Sequence, residues 1–160
     1  MSSSPSAASC RAETLPECEA PRMMFGAPIS TPRPARFEAA AASKRAGLGV
    51  LMGAPNIMRG ASHSGNVSAR QLAADGLLDI LSSDYIPFSL IQSAFFLGDA
   101  VETISLPQAV AMGSKNPAEA LGLDDRGVIE AGRRADLVRV RVDDHVPVVR
   151  TVWREGRRVA

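Results

Sequence analysis

Two periodicities of apolar and polar positions follow one another along the 160-residue chain. From Phe37 to Ala46 helix formers dominate, Lys44 and Arg45 fall in the last turn, and Gly47 is placed as terminator, so a helix is predicted there. Leu48 to Met52 is a short apolar run that reads as a buried strand. Ser68-Ala69-Arg70-Gln71 has the form of a capping box, which opens a short helix from Ala69 to Asp75 with Gly76 as its stop. Leu78 to Ser82 is the next buried strand, and an apolar helix over Phe88 to Val101 follows Pro87. A second capping box, Ser105-Leu106-Pro107-Gln108, starts another helix, and Asn116-Pro117 caps a short one that stops at Gly122. Beyond it the period becomes two. Val138, Val140 and Val142 alternate with Arg139 and Arg141, and Val148 to Trp153 pairs onward through Glu155-Gly156 to Arg157-Arg158-Val159.

Helix, strand, loop, helix, strand is the alternation of a parallel sheet, with a helical crossover between neighbouring strands. Each of the two strands hands polar residues off at its C-terminal end. After the first come Gly53-Ala54-Pro55-Asn56 and the loop Arg59 to Asn66; after the second comes Ser82-Ser83-Asp84-Tyr85. Loops leaving the carboxyl ends of parallel strands line a shared crevice, which is where α/β enzymes keep their chemistry. No internal repeat is visible. Residues 1–36 hold six of the eleven prolines and show neither period, so they read as a disordered, low-complexity tail that buries too little apolar surface to offset its ordering entropy. Residues 37–124 form the α/β segment and 125–160 a small β segment.

Composition narrows the function classes. Eighteen Lys+Arg against seventeen Asp+Glu give a formal charge of +1, with no global pull toward nucleic acid or anionic membrane. Nine arginines crowd residues 126–160, but five acids share that stretch and Trp153 is its one aromatic, so it reads as a solvated face of mixed charge rather than a phosphate-backbone site. No run approaches the ~18 apolar residues of a membrane span, and Met1-Ser2-Ser3-Ser4-Pro5 opens no signal-peptide core, so a soluble, cytoplasmic protein is expected. Cys10 and Cys18 have neither zinc-knuckle nor redox spacing and are expected to be reduced and idle.

Asp84 follows a strand whose Leu78, Ile80 and Leu81 are apolar, which projects its carboxylate beyond the sheet. A carboxylate there can bind a divalent metal and take a proton from metal-bound water, or it can cap the helix near Phe88 or bond loop amides. His63 lies among Ser62, Ser64, Gly65 and Asn66 with Arg59 nearby, a mix of exposed amides and guanidinium that suits phosphate oxygens and equally suits a plain surface loop. His145 reads as a solvated residue of the turn Asp143-Asp144-His145, Asp124-Asp125 as a helix exit, and Glu38, Glu102 and Glu119 as helix surface.

The stretches Leu51-Met52-Gly53-Ala54-Pro55-Asn56, Arg59 through Ala69 and Asp79-Ile80-Leu81-Ser82-Ser83-Asp84-Tyr85 resemble the closing third of the PhnM-type hydrolases of phosphonate metabolism. These are the α-D-ribose 1-methylphosphonate 5-triphosphate diphosphatases of the carbon–phosphorus lyase pathway, within the amidohydrolase superfamily. Gly127 to Val138 is similar to the superfamily's tail signature, where the chain re-enters a small β-domain. The resemblance covers about residues 37–160. It implies an α/β fold that is the C-terminal part of a (β/α)₈ barrel, its last two strands and following helices, plus the small β-domain. By position it implies that Asp84 is a metal ligand or general base, that His63, Arg59 and Asn66 contact substrate phosphates, and that a zinc-like divalent metal is the cofactor.

The implied reaction is metal-dependent release of diphosphate from a phosphorylated ribose phosphonate. The chain departs from the pattern in two respects: its two histidines form no His-x-His metal pair, and a whole barrel takes ~250 residues. It is therefore expected to be a truncated chain of such a hydrolase. The alternatives are an inactive fragment, as from a frame-shifted gene, that serves as an interaction or complementation module, and another amidohydrolase branch of deaminase or cyclic-amidase type. Barrel strands left with open edges are expected to drive self-association.

Overall fold

The computed structural model of the chain describes residues 23–25, 33–59 and 68–160, with 23–25 and 33–36 as backbone alone. The elements in order are β1 (Met23–Phe25), α1 (Arg33–Arg45), β2 (Gly49–Gly53), α2 (Ala54–Arg59), α3 (Ala69–Ala74), β3 (Ile80–Ser82), α4 (Ser89–Ala100), α5 (Leu106–Gly113), α6 (Lys115–Ala120), β4 (Leu137–Asp143), β5 (Val146–Arg154) and β6 (Arg157–Arg158). Helix α1 starts at Arg33 rather than Phe37. It ends as expected, with Lys44 and Arg45 against its carbonyl end and Gly47 at φ +73° turning the chain out.

Sheet A has the order β1-β2-β3, all parallel, with Leu51 opposite Ile80 and Gly53 opposite Ser82. The two strands read from the sequence are thus neighbours joined by a helical crossover. The third, β1, comes from the stretch before Phe37, where three strand residues are too few to show a period. The core lies between sheet A and its helices: Val50, Leu78 and Leu81 meet Ala40, Ile57, Leu72, Leu97, Ile104 and Met112. No described helix is long and apolar enough to cross a membrane.

Asp79 ties the N-terminal end of β3 to three other elements. Its carboxylate accepts from Val50 N at 2.8 Å and from Lys44 Nζ at 2.5 Å, while its backbone N–H donates to Val50 O at 3.0 Å. Its carbonyl accepts from Asn116 Nδ2 at 2.8 Å. Asn116 is therefore not the cap expected of it: it lies inside α6 and braces β3, a role with no local sequence signal because its partner is 37 residues away. The first capping box is half realised. Ser68 Oγ accepts from Arg70 N at 3.2 Å, but the Gln71 side chain turns to Asp75 instead. At the second box Gln108 Oε1 does reach back to Ser105 N, at 2.8 Å.

Sheet B is the antiparallel meander β4-β5-β6, irregular between Arg139 and Val140. Both turns have positive φ at their central residues, +47° and +64° at Asp144-His145 and +51° and +76° at Glu155-Gly156, as type I′ hairpins require. Gly127 makes the joint with the helices. At φ +95° a Cβ there would lie 2.9 Å from Ala118 Cβ and 3.0 Å from Lys115 Cα, so a larger residue would force the joint open.

The β5–β6 turn is held by charge. Glu155 N donates to Asp136 Oδ1 at 2.8 Å, and Arg134 pairs with Asp136 at 2.7 Å and Glu155 at 3.1 Å. The hydrogen bond from Glu155 N, helped by Arg134, keeps the Asp136 carboxyl below its ordinary pKa. A depressed carboxyl stabilises the fold above its unfolded pKa of about 4, and that contribution is lost as pH falls through the folded value. Acid titration followed by Trp153 fluorescence is expected to show sheet B loosening below pH of about 4, with the step reduced in Asp136→Asn. Identical acid curves for the two proteins would contradict this.

Candidate functional site

The C-terminal ends of β2 and β3 lie side by side, and the residues leaving them build one rim. Gly53-Ala54-Pro55-Asn56, the polar hand-off read at the end of the first strand, is the last strand residue and the first turn of α2. Proline is at home in a first turn, where its missing N–H is not needed. Ala54, Pro55 and Ile57 are buried, and the buried Ser93 Oγ donates to Ala54 O at 2.9 Å. Asn56 Oδ1 accepts from Ala69 N at 3.3 Å, which clips α2 to the start of α3. The rim beyond β2 is thus packed helix, not free loop.

Asp84 stands on the opposite side of the rim in the turn closed by Ile86 N to Ser83 O at 3.2 Å. Its φ is +53°, a conformation that aspartate tolerates better than most residues but at some cost. Its backbone N–H donates to Ser82 Oγ at 3.2 Å, so the side chain just before it fixes the bend. The carboxylate lies over Gly53, with Oδ2 only 2.9 Å from where a Cβ on that glycine would be. It makes no hydrogen bond or ion pair among the described residues, and it caps nothing: Phe88, at the head of α4, receives no side-chain cap. Ser89 Oγ bonds Ile86 O and Ser83 O instead. Among the described residues the Asp84 carboxylate neither caps α4 nor bonds a loop amide.

Arg59, at the end of α2, donates from Nη2 to the Tyr85 hydroxyl, and its guanidinium carbon lies 5.7 Å from the Tyr85 ring centre. The structure therefore brings Arg59 to the residue beside Asp84. The sequence gives Tyr85 no role. Its partner is 26 residues away, so nothing local could have assigned one. His63 and Asn66 lie outside the described residues.

Among the described residues no group of three or more His, Cys, Asp or Glu could hold a metal ion. His145 is 93% exposed at the hairpin tip, its Nδ1 3.9 Å from Asp99 Oδ2, as expected of a solvated turn residue. It helps line a groove of about 380 Å³ with Met58, Gln92, Phe96, Asp99 and Pro147, which neither Asp84 nor Arg59 lines. A second arginine, Arg70, stacks on Phe96 at 4.4 Å behind that groove.

A sequence profile of the amidohydrolase family matches residues 34–160. The chain belongs to the amidohydrolase family. Over 128 residues, 79% of this chain, it is 59% identical to the α-D-ribose 1-methylphosphonate 5-triphosphate diphosphatase of Escherichia coli. Over 90 residues, 44% of this chain, it is 33% identical to a dihydroorotase of Halobacterium salinarum. It spans 34% of the length of the first relative and 21% of the second. An amidohydrolase from Thermotoga maritima shares the fold, with a TM-score of 0.61 at 22% identity over 79% of this chain and 35% of that one.

Proposed function

We propose that this amidohydrolase chain carries the Asp84-bearing part of a metal-dependent hydrolase of phosphonate catabolism that releases diphosphate from α-D-ribose 1-methylphosphonate 5-triphosphate. The observation that carries the proposal is the 59% identity to a diphosphatase of that specificity over 128 residues, 79% of this chain. On this reading β2 and β3 are the last two strands of a (β/α)₈ barrel, sheet B is the small β-domain beside it, and the reaction takes place in the cytoplasm with neither nucleic acid nor membrane as partner.

Asp84 suits one position of a divalent metal site, being a hard oxygen donor, exposed and without a hydrogen bond to give up among the described residues. It would hold the ion or accept the proton of the attacking water. When bound, such an ion lowers the pKa of water toward neutrality. Arg59, oriented by Tyr85, offers a planar guanidinium to phosphate oxygens, and His63 and Asn66 are assigned to the same task. A zinc site takes about three protein ligands, and the described residues supply Asp84 alone at the strand ends.

The purified 160-residue chain is accordingly expected to release no pyrophosphate from the ribose triphosphate when divalent metals are added. Metal-dependent turnover that disappears in Asp84→Ala would overturn that expectation. The chain is also expected to self-associate. Among the described residues sheet A ends in open parallel edges, and Val138, Val142 and Val149 on sheet B are between 43% and 51% exposed. A compact monomer on size-exclusion chromatography would count against it.

The dihydroorotase likeness favours a second reading, an amidohydrolase acting on a cyclic amide. The two are separated by a chimera in which residues 34–160 replace the matching part of the Escherichia coli diphosphatase. Pyrophosphate release from the ribose triphosphate, with none of the ring opening of dihydroorotate, supports the first reading. A folded chimera with the opposite preference refutes it.

A further inference from the structure

Asp84 has little to hold its side chain. Its carboxylate has no hydrogen-bond partner among the described residues, it is exposed, and the turn that carries it fixes only the backbone, through Ser82 Oγ and the positive φ. What does define the place of the carboxylate is the surface it rests on. Three of its atoms crowd the point above Gly53 where any other residue would carry a Cβ: Oδ2 at 2.9 Å, Cβ at 3.3 Å and Cγ at 3.4 Å. The oxygen is nearer than real Cβ contacts come, while Cβ and Cγ stand at the tight edge of ordinary contact, so a methyl at position 53 would turn the carboxylate into another rotamer rather than displace the backbone.

We infer that Gly53 is a positioning residue for Asp84: the absent side chain at the end of β2 is what lets the carboxylate lie across the gap between the two strand ends. The inference rests on the reading of Asp84 given above and adds to it the residue that sets where that carboxylate stands. Gly53 does not have the left-handed φ that would explain a glycine by backbone geometry, whereas six other glycines among the described residues do. Alanine at position 53 is therefore compatible with the backbone, and it lowers the entropy of the unfolded chain. A structural glycine and a positioning glycine thus predict different results.

The experiment compares the full chain with Gly53→Ala and Asp84→Asn by NMR. The Asp84 Hα–Hβ couplings report its side-chain rotamer, thermal unfolding reports stability, and addition of Mn²⁺ reports, through relaxation broadening near residues 82–85, how well the carboxylate meets a divalent ion. In Gly53→Ala the couplings are expected to move to a different or averaged rotamer with Tm unchanged or raised, and roughly tenfold more Mn²⁺ is expected for equal broadening, the scale on which misplacing a ligand weakens a metal site. Unchanged Asp84 couplings in Gly53→Ala overturn the inference whatever the metal does. A lowered Tm with unchanged couplings overturns it too, by making Gly53 structural. Shifted couplings in Gly53→Ala, together with broadening that Asp84→Asn leaves intact, uphold Gly53 as the positioning residue and remove the metal-ligand reading of Asp84 instead.

Discussion

Asp79→Ala is expected to destabilise the chain by about 2–3 kcal/mol, a large share of the 5–15 kcal/mol that holds a typical domain together. The loss falls where β2, β3, α1 and α6 converge. The carboxylate accepts from Val50 N at 2.8 Å, and Val50 is a buried core residue of the central strand. Removing it leaves a strand amide without its partner, which costs more than the bond contributes. The Lys44 pair adds little, because both side chains are about a third exposed and solvent screens the charge. Lys44→Ala is thus expected to cost under about 1 kcal/mol. Asp79→Asn keeps an oxygen that can accept from Val50 N and should fall between the two. Urea denaturation of the three variants checks the order, and an Asp79→Ala protein as stable as the parent would refute it.

The contrast between Asp79 and Asp84 shows what the sequence made legible. Asp84 stood out because it ends an apolar run, a local signal of period and boundary. Asp79 sits just inside the same run with no local signal of its role, because that role comes from Lys44, Val50 and Asn116, which lie 29 to 37 residues away. The same division holds for the elements. Helices α1, α3, α4 and α5 and the pairing of β2 with β3 were readable from helix formers, caps, glycine stops and short apolar runs. Helix α2 was not, because its six residues begin with Ala-Pro-Asn, a composition that favours turns, and its burial against α4 decides the matter. Strand β1 is too short to carry a pattern and exists through its pairing with β2. At the site, the nature of Asp84 and Arg59 was legible, but the contacts that arrange them, Gly53 beneath one and Tyr85 beside the other, are made only when the chain folds.

The other large effect is on chemistry. Because the Asp84 carboxylate has no hydrogen-bond partner among the described residues, its removal should cost no more than about 1 kcal/mol, chiefly because alanine tolerates a φ of +53° less well than aspartate. A group that handles the proton of the attacking water contributes a factor of about 10² to 10⁴ in rate, and a metal ligand at least as much. The two quantities therefore separate: a catalytic Asp84 is quiet in folding and loud in turnover. The measurement that tests this most directly is pyrophosphate release by the chimera carrying residues 34–160, with and without Asp84→Ala, at a temperature where both are folded. A loss of at least about 100-fold in kcat with a Tm lowered by no more than a few degrees is the predicted result. An Asp84→Ala chimera that turns over the ribose triphosphate within a few-fold of its parent would contradict it.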